Sequence, residues 1–225
     1  MTETSTLEKA AAANVSRRRF FGIAGMMAGA GLLVSATGCK KSDDPGLDVG
    51  GGDNGILNYA YILEQLEAAF YIQVVATPYD GMSVQELGIF TQIRDHEIAH
   101  REFFKNLLAN AALAAIEVDF SKIFFKKRTS VLDTAISFED LGVSAYNGVG
   151  HLIKNVDYLS AASKIVSVEA RHAATLRDIK ASGTFAAQDV INSVTGLDTQ
   201  RSPQEVLAIA QQFIKTKLNS LNLPS

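Results

Sequence analysis

Two stretches of this sequence repeat one pattern, a glutamate followed three residues later by a histidine. The first pair is Glu97 and His100, within RDHEIAHREFF, and the second is Glu169 and His172, within VEARHAATL. A separation of three residues places both side chains on one face of an α-helix. Carboxylates and imidazoles are ligands that iron and manganese accept. Each pair could therefore hold a metal ion. The alternative is a polar layer in a helical bundle without metal.

Both pairs lie on the apolar face of their helix and not opposite it. Projected at about 100° per residue, the first apolar stripe runs through Phe90, Ile93, Glu97, His100, Phe104 and Leu107. The second runs through Tyr158, Ala162, Ile165, Glu169, His172 and Leu176. A carboxylate on an apolar stripe is costly unless it is paired or bound to a cation. The pattern therefore favours ligands over surface side chains.

Two further glutamates occupy central positions on otherwise apolar helix faces. Glu64 and Glu139 are each followed seven residues later by a tyrosine, Tyr71 and Tyr146. Glu67 lies about 60° around the helix from Glu64 and is an alternative to it. The repeated glutamate–tyrosine spacing favours Glu64, but the sequence leaves this choice open.

Together these residues predict a site for two metal ions in the centre of a bundle. The predicted ligands are Glu64, Glu97, His100, Glu139, Glu169 and His172. Two iron or two manganese ions would relieve the repulsion among buried carboxylates. Tyr71 and Tyr146 could hydrogen-bond to ligating carboxylates across the bundle, or they could be ordinary core tyrosines. His96 is predicted to lie at the surface or at a helix contact.

The elements that would position these residues are all helical. Helices are predicted over residues 54–77, 83–110, 131–155 and 158–181, with a short terminal helix over 202–218. Tight turns join the first two helices and the last two, and about twenty residues separate the pairs. These lengths predict an all-α antiparallel four-helix bundle with a long crossover between the second and third helices.

The two Glu-x-x-His motifs and the lone inward glutamates resemble the ferritin-like di-iron carboxylate superfamily. LEQLEAAFY and RDHEIAHREFF are also similar to the ferritin-like domain of exported bacterial proteins and of plant desiccation-related proteins. The resemblance covers residues 54–182 and leaves residues 183–225 as an extension with a short helix. It implies a di-metal redox protein acting on oxygen, peroxide or ferrous iron, and is compatible with a homo-oligomer. It also admits a non-enzymatic bundle for stress protection or binding.

The N-terminus carries targeting signals. Residues 16–21, SRRRFF, resemble a twin-arginine signature, and residues 22–38 form an uncharged apolar run. Residues 1–38 are therefore predicted to be a Tat signal peptide, with an uncleaved membrane anchor as the alternative. Cys39 ends a segment that resembles a lipobox, which predicts a lipid anchor, although an ordinary cleaved signal would leave Cys39 free or remove it. Residues 39–53 are predicted to be a flexible linker. The expected location is the periplasm or cell envelope.

Charge and cysteine content narrow the class of protein further. The 225-residue chain has a formal net charge of −3 and no predicted basic face, so nucleic acid is not an expected partner. With one cysteine, the chain cannot form an internal disulfide bond.

Overall fold

A computed structural model of the protein describes residues 45–224 and shows a four-helix bundle. The bundle helices are α1 (Gly52–Ala76), α2 (Val84–Leu108), α3 (Arg128–Val149) and α4 (Val156–Lys180), and a short α5 (Pro203–Ala210) follows. Helices α1 and α2 pack along each other, as do α3 and α4. Short connections give antiparallel pairs, and the long connection separates α2 from α3. The predicted all-α antiparallel four-helix bundle, with a long crossover between the second and third helices, is confirmed.

The targeting signals and Cys39 lie outside the described residues. None of the described helices is both long enough and apolar enough to cross a membrane.

Helix ends follow local sequence chemistry. At α2, the Ser83 hydroxyl accepts a hydrogen bond from the Glu86 amide, and the Glu86 carboxylate accepts one from the Ser83 amide, each at 3.1 Å. Ser202 and Glu205 make the same reciprocal cap at α5. Both caps satisfy backbone groups that a helix start leaves without partners. By contrast, α3 ends at Val149, before the predicted residue 155, because the chain tightens into a 3-10 turn at Gly150–Leu152.

Two buried amide side chains on α1 hold the long connection against the bundle. The Asn58 side chain donates to the carbonyl of Ala111 at 3.0 Å and accepts from the amide of Leu113 at 3.1 Å. The Gln65 side chain accepts from the amide of Ile116 at 3.0 Å. These bonds provide partners for backbone groups that the irregular segment cannot pair internally. The connection therefore follows α1 in a fixed path.

The described part of the predicted linker is packed, which corrects the expectation that residues 39–53 are flexible throughout. Strand β1 (Leu47–Asp48) pairs in parallel with β2 (Leu218–Asn219), and Val49 is fully buried. The cause is non-local, because the C-terminal extension supplies the partner strand. The composition of residues 39–53 carries no sign of that partner.

Close packing of the C-terminal extension on α3 gives a first prediction. A Cβ at Gly148 would overlap the carbonyl oxygen of Arg201. The backbone of Arg201 is fixed there, because its amide donates to the carbonyl of Ser144 at 3.0 Å. We expect Gly148→Ala to lower the free energy of unfolding by about 1–3 kcal/mol, because the backbone must shift. Chemical denaturation measures the change.

The matched control is Gly88→Ala in α2, where a Cβ would meet nothing within 4 Å. There, alanine should raise the free energy of unfolding by about 0.5–1 kcal/mol through helix propensity. Equal effects at the two positions would contradict the packing described.

Candidate metal centre

The six predicted ligand side chains meet in the middle of the bundle. Helix α1 contributes Glu64, α2 contributes Glu97 and His100, α3 contributes Glu139, and α4 contributes Glu169 and His172. They form two overlapping groups, and the ligand atoms within each group lie within 4.8 Å of one another. All four glutamates are fully buried. We call Glu64, Glu97, His100 and Glu169 the His100 subsite, and Glu97, Glu139, Glu169 and His172 the His172 subsite.

Each histidine presents Nδ1 to three carboxylates. In the His100 subsite, Nδ1 lies 2.8 Å from Glu169 Oε1, 3.4 Å from Glu64 Oε2 and 3.5 Å from Glu97 Oε2. In the His172 subsite, Nδ1 lies 3.0 Å from Glu97 Oε1, 3.3 Å from Glu139 Oε2 and 3.7 Å from Glu169 Oε2. Glu97 and Glu169 are shared by the two subsites, and each of them places one carboxylate oxygen in each subsite.

The two tyrosines hold the two unshared glutamates. Tyr71 Oη donates to Glu139 Oε1 at 2.5 Å, and Tyr146 Oη donates to Glu64 Oε1. Each of these glutamates keeps its second oxygen facing its subsite. The tyrosines thus orient carboxylates across the bundle, because each pair joins α1 to α3.

Side-chain atoms in this cluster lack hydrogen-bond partners. Eight buried oxygens and nitrogens of the six residues make no hydrogen bond of good geometry, although each histidine Nδ1 lies close to carboxylate oxygens: Glu64 Oε2, Glu97 Oε1 and Oε2, His100 Nδ1, Glu139 Oε2, Glu169 Oε1 and Oε2, and His172 Nδ1. Buried polar atoms are nearly always satisfied in folded proteins. Nearby arginines do not supply the missing partners, since Arg94 pairs with Asp95, and Arg177 with Asp140 and Asp189. The donor set and its unsatisfied atoms fit bound cations better than a polar layer without metal.

Burial and mutual proximity shift the pKa of several members. Burial raises the pKa of the Glu64 and Glu139 carboxyls well above the usual range. Burial alone would lower the pKa of His172, but the carboxylates of Glu139, Glu169 and Glu97 raise it to about 12. Burial alone would raise the pKa of Glu169, but His100 and His172 lower it to about 2. Without metal, the cluster therefore retains protons that cations would have to displace.

The geometry distinguishes Glu64 from its alternative, Glu67. Glu64 is within 3.4 Å of His100 Nδ1, whereas neither ligand group contains Glu67. Glu67 is buried beside Gly142, where a Cβ would lie 3.1 Å from its Oε1. Within residues 45–224, Glu64 is therefore the α1 carboxylate placed to be a ligand.

Sequence reasoning missed the partner of His172. His96 Nδ1 lies 2.8 Å from His172 Nε2, and the two rings are nearly parallel, with an interplanar angle of 9°. The sequence predicts that His96 lies at the surface or at a helix contact; it is exposed and also contacts α4 through His172. The pairing itself leaves no signal in the sequence, because it depends on how α2 and α4 are rotated against each other. It orients the His172 ring so that Nδ1 faces the carboxylates.

The tyrosine contacts give a second prediction. Tyr146→Phe removes the hydroxyl that holds Glu64, so we expect the affinity of the His100 subsite for Mn²⁺ to fall about 10- to 100-fold. Isothermal titration calorimetry measures the change. Tyr59→Phe, at a buried tyrosine on α1 whose hydroxyl makes no hydrogen bond, should leave the affinity unaltered. An unchanged affinity in Tyr146→Phe would show that this hydrogen bond does not position Glu64 for a metal.

Comparison with known proteins identifies a family for this chain. Residues 52–182, more than half of the chain, match the family model of the ferritin-like domain. No curated protein matches the chain. The matched region contains all four bundle helices and all six candidate ligands.

Proposed function

This chain belongs to the ferritin-like domain family, and we propose that it binds two iron or manganese ions and uses them in redox chemistry with oxygen, peroxide or ferrous iron. One ion would occupy the His100 subsite and the other the His172 subsite. The central support is the placement of Glu97 and Glu169, each with one unsatisfied oxygen in each subsite. Such carboxylates can bridge two cations.

Three residues outside the ligand set orient the ligands in this proposal. Tyr71 and Tyr146 fix the unshared glutamates, each by one oxygen. His96 holds the His172 ring in place. Bound iron or manganese would supply one-electron redox chemistry. Full burial of the four glutamates keeps bulk water from solvating the carboxylates, which strengthens their attraction for a cation.

The alternative of a non-enzymatic stress or binding bundle has less support. A purely structural bundle gains nothing from buried carboxylates without partners, because replacing them with apolar residues is usually neutral or stabilising. All six candidate ligands are present and converge.

We also propose that the chain is exported by the Tat route and anchored through a lipid on Cys39. The support is the sequence alone: the twin-arginine segment, the apolar run and the cysteine that follows it. Expression in bacteria with radiolabelled palmitate tests the anchor. Loss of label in Cys39→Ala is expected, and equal labelling of both chains would refute it.

The redox proposal is tested with protein loaded with Fe²⁺ without oxygen. On mixing with oxygen or hydrogen peroxide, the wild type should oxidise its bound iron faster than free Fe²⁺ in buffer is oxidised. The Glu97→Ala variant should not exceed the buffer rate. Oxidation at the buffer rate by a wild type that holds its iron would contradict the redox role while leaving metal binding intact.

A further inference from the structure

The two subsites repeat each other in sequence but differ in their access to the surface. At His172, the ring nitrogen that points away from the carboxylates is occupied by His96 at 2.8 Å, and the side chain is 6% exposed. At His100, the side chain is 13% exposed, and its ring forms part of the wall of an open groove. An external molecule can therefore reach the His100 ring, which is the one residue of its subsite that lines the groove.

This groove lies between α2 and α4 and has a volume of about 510 Å³. Its lining residues are Ala99, His100, Phe103, Asp157, Ser160, Ala161, Lys164 and Ile165. Ligand sites for small organic molecules commonly have volumes of about 300–1,000 Å³ and largely apolar walls with a few polar groups. The groove fits that description in both size and lining. Oxygen or peroxide alone would fill only a small part of it.

The charges of the groove indicate what kind of molecule it fits. Asp157 and Lys164 bring one negative and one positive charge to the groove. The buried carboxylates that face His100 offset any charge on its ring, so the lining does not favour an anion or a cation. Phe103, which is 41% exposed, offers an aromatic ring to the groove, and Ala161 and Ile165 are apolar. His100 and Ser160 provide hydrogen-bonding groups. An uncharged aromatic ring with a hydroxyl matches this combination.

We propose that the groove between α2 and α4 binds a neutral phenol-class molecule, which approaches the His100 subsite and not the His172 subsite. The ring would lie against Phe103 and Ile165, with its hydroxyl towards His100. Phenol binding in the groove does not require metal. Only the role of the bound phenol as a substrate of the redox centre rests on the proposed function. The two can therefore fail separately.

The test uses phenol itself and metal-free protein followed by nuclear magnetic resonance. Titrated phenol should shift the amide resonances of Ala99, Phe103 and Ala161 and the ring resonances of His100. The ring resonances of His172 should not move, because His96 blocks that side. Shifts that favour His172, or no saturable shifts at all, would overturn the proposal.

Variants locate the binding more sharply. Ala161→Trp fills the groove and should weaken phenol binding at least about tenfold. Ser160→Trp, at an exposed position on the groove's rim, should do the same if Ala161→Trp fails to fold. Thr175→Trp is the matched control, because Thr175 lines a different surface cavity, of about 660 Å³, on the same helix. Phenol binding that is equal in Ser160→Trp, Thr175→Trp and the wild type would refute the assignment.

A second copy of the chain is the competing occupant of this face. In that case the wild type would form a concentration-dependent dimer that Ser160→Trp disrupts, and phenol would bind only at dilutions that favour the monomer. Sedimentation at several protein concentrations separates the outcomes. A monomer that binds phenol supports the proposal, and a dimer that excludes it overturns the proposal.

Discussion

Glu169→Ala is expected to abolish binding of both metal ions, whereas Glu139→Ala should remove only one. Glu169 places Oε1 in the His100 subsite and Oε2 in the His172 subsite, so its loss breaks both. Glu139 serves the His172 subsite alone. Calorimetric titration with Mn²⁺ should therefore give about two ions for the wild type, about one for Glu139→Ala and none for Glu169→Ala.

The control is Glu117→Ala, which removes an exposed carboxylate that is paired with Lys215 and belongs to neither ligand group. It should bind as many ions as the wild type. If Glu139→Ala and Glu169→Ala lost the same number of ions, the subsites would not be organised around shared carboxylates.

Bound metal is also expected to reverse the direction in which the stability of the fold changes with pH. In the metal-free chain the folded state holds extra protons, because the pKa values of Glu64, Glu139, His100 and His172 are all raised. The free energy of unfolding should therefore fall as pH rises above the pKa values of the same groups in the unfolded chain. These are about 4.5 for the carboxyls and about 6.5 for the imidazoles. Each excess proton contributes a slope of about 1.4 kcal/mol per pH unit.

Glu169 opposes this trend only at low pH. Its pKa is lowered to about 2. Its contribution to the free energy of unfolding therefore grows as pH rises towards the pKa that Glu169 has in the unfolded chain, and is complete above that pKa. Bound cations displace the excess protons, so the stabilisation that they provide grows with pH. Urea denaturation between about pH 5 and pH 8, with and without Mn²⁺, measures both trends. Parallel profiles would mean that the protons and the cations do not compete for the same atoms.

The helices and the convergence of the six residues could be predicted because both depend on local periodicity. Glu97 and His100 fall on one stripe of α2, and that stripe faces inward wherever the helix packs. The glutamate–tyrosine spacing also pointed to Glu64 over Glu67, and the structure shows Glu64 beside His100. These features need only the geometry of a helix and the cost of a buried charge.

Other features depend on the relative placement of elements far apart in the chain. The contact between His96 and His172 joins residues 76 positions apart, and no periodicity encodes it. The pairing of Leu47 with Leu218 likewise requires the C-terminal extension to return to the start of α1. The groove beside His100 arises from the spacing between α2 and α4, which small residues such as Ala99 and Ala161 permit but do not specify.

The most direct test of the proposed di-metal centre is elemental analysis of the protein purified after growth with iron and manganese. We predict about two Fe or Mn ions per chain, and essentially none in Glu97→Ala/His100→Ala protein that is equally well folded by circular dichroism. A folded wild-type chain that contains neither metal after such growth would contradict the account.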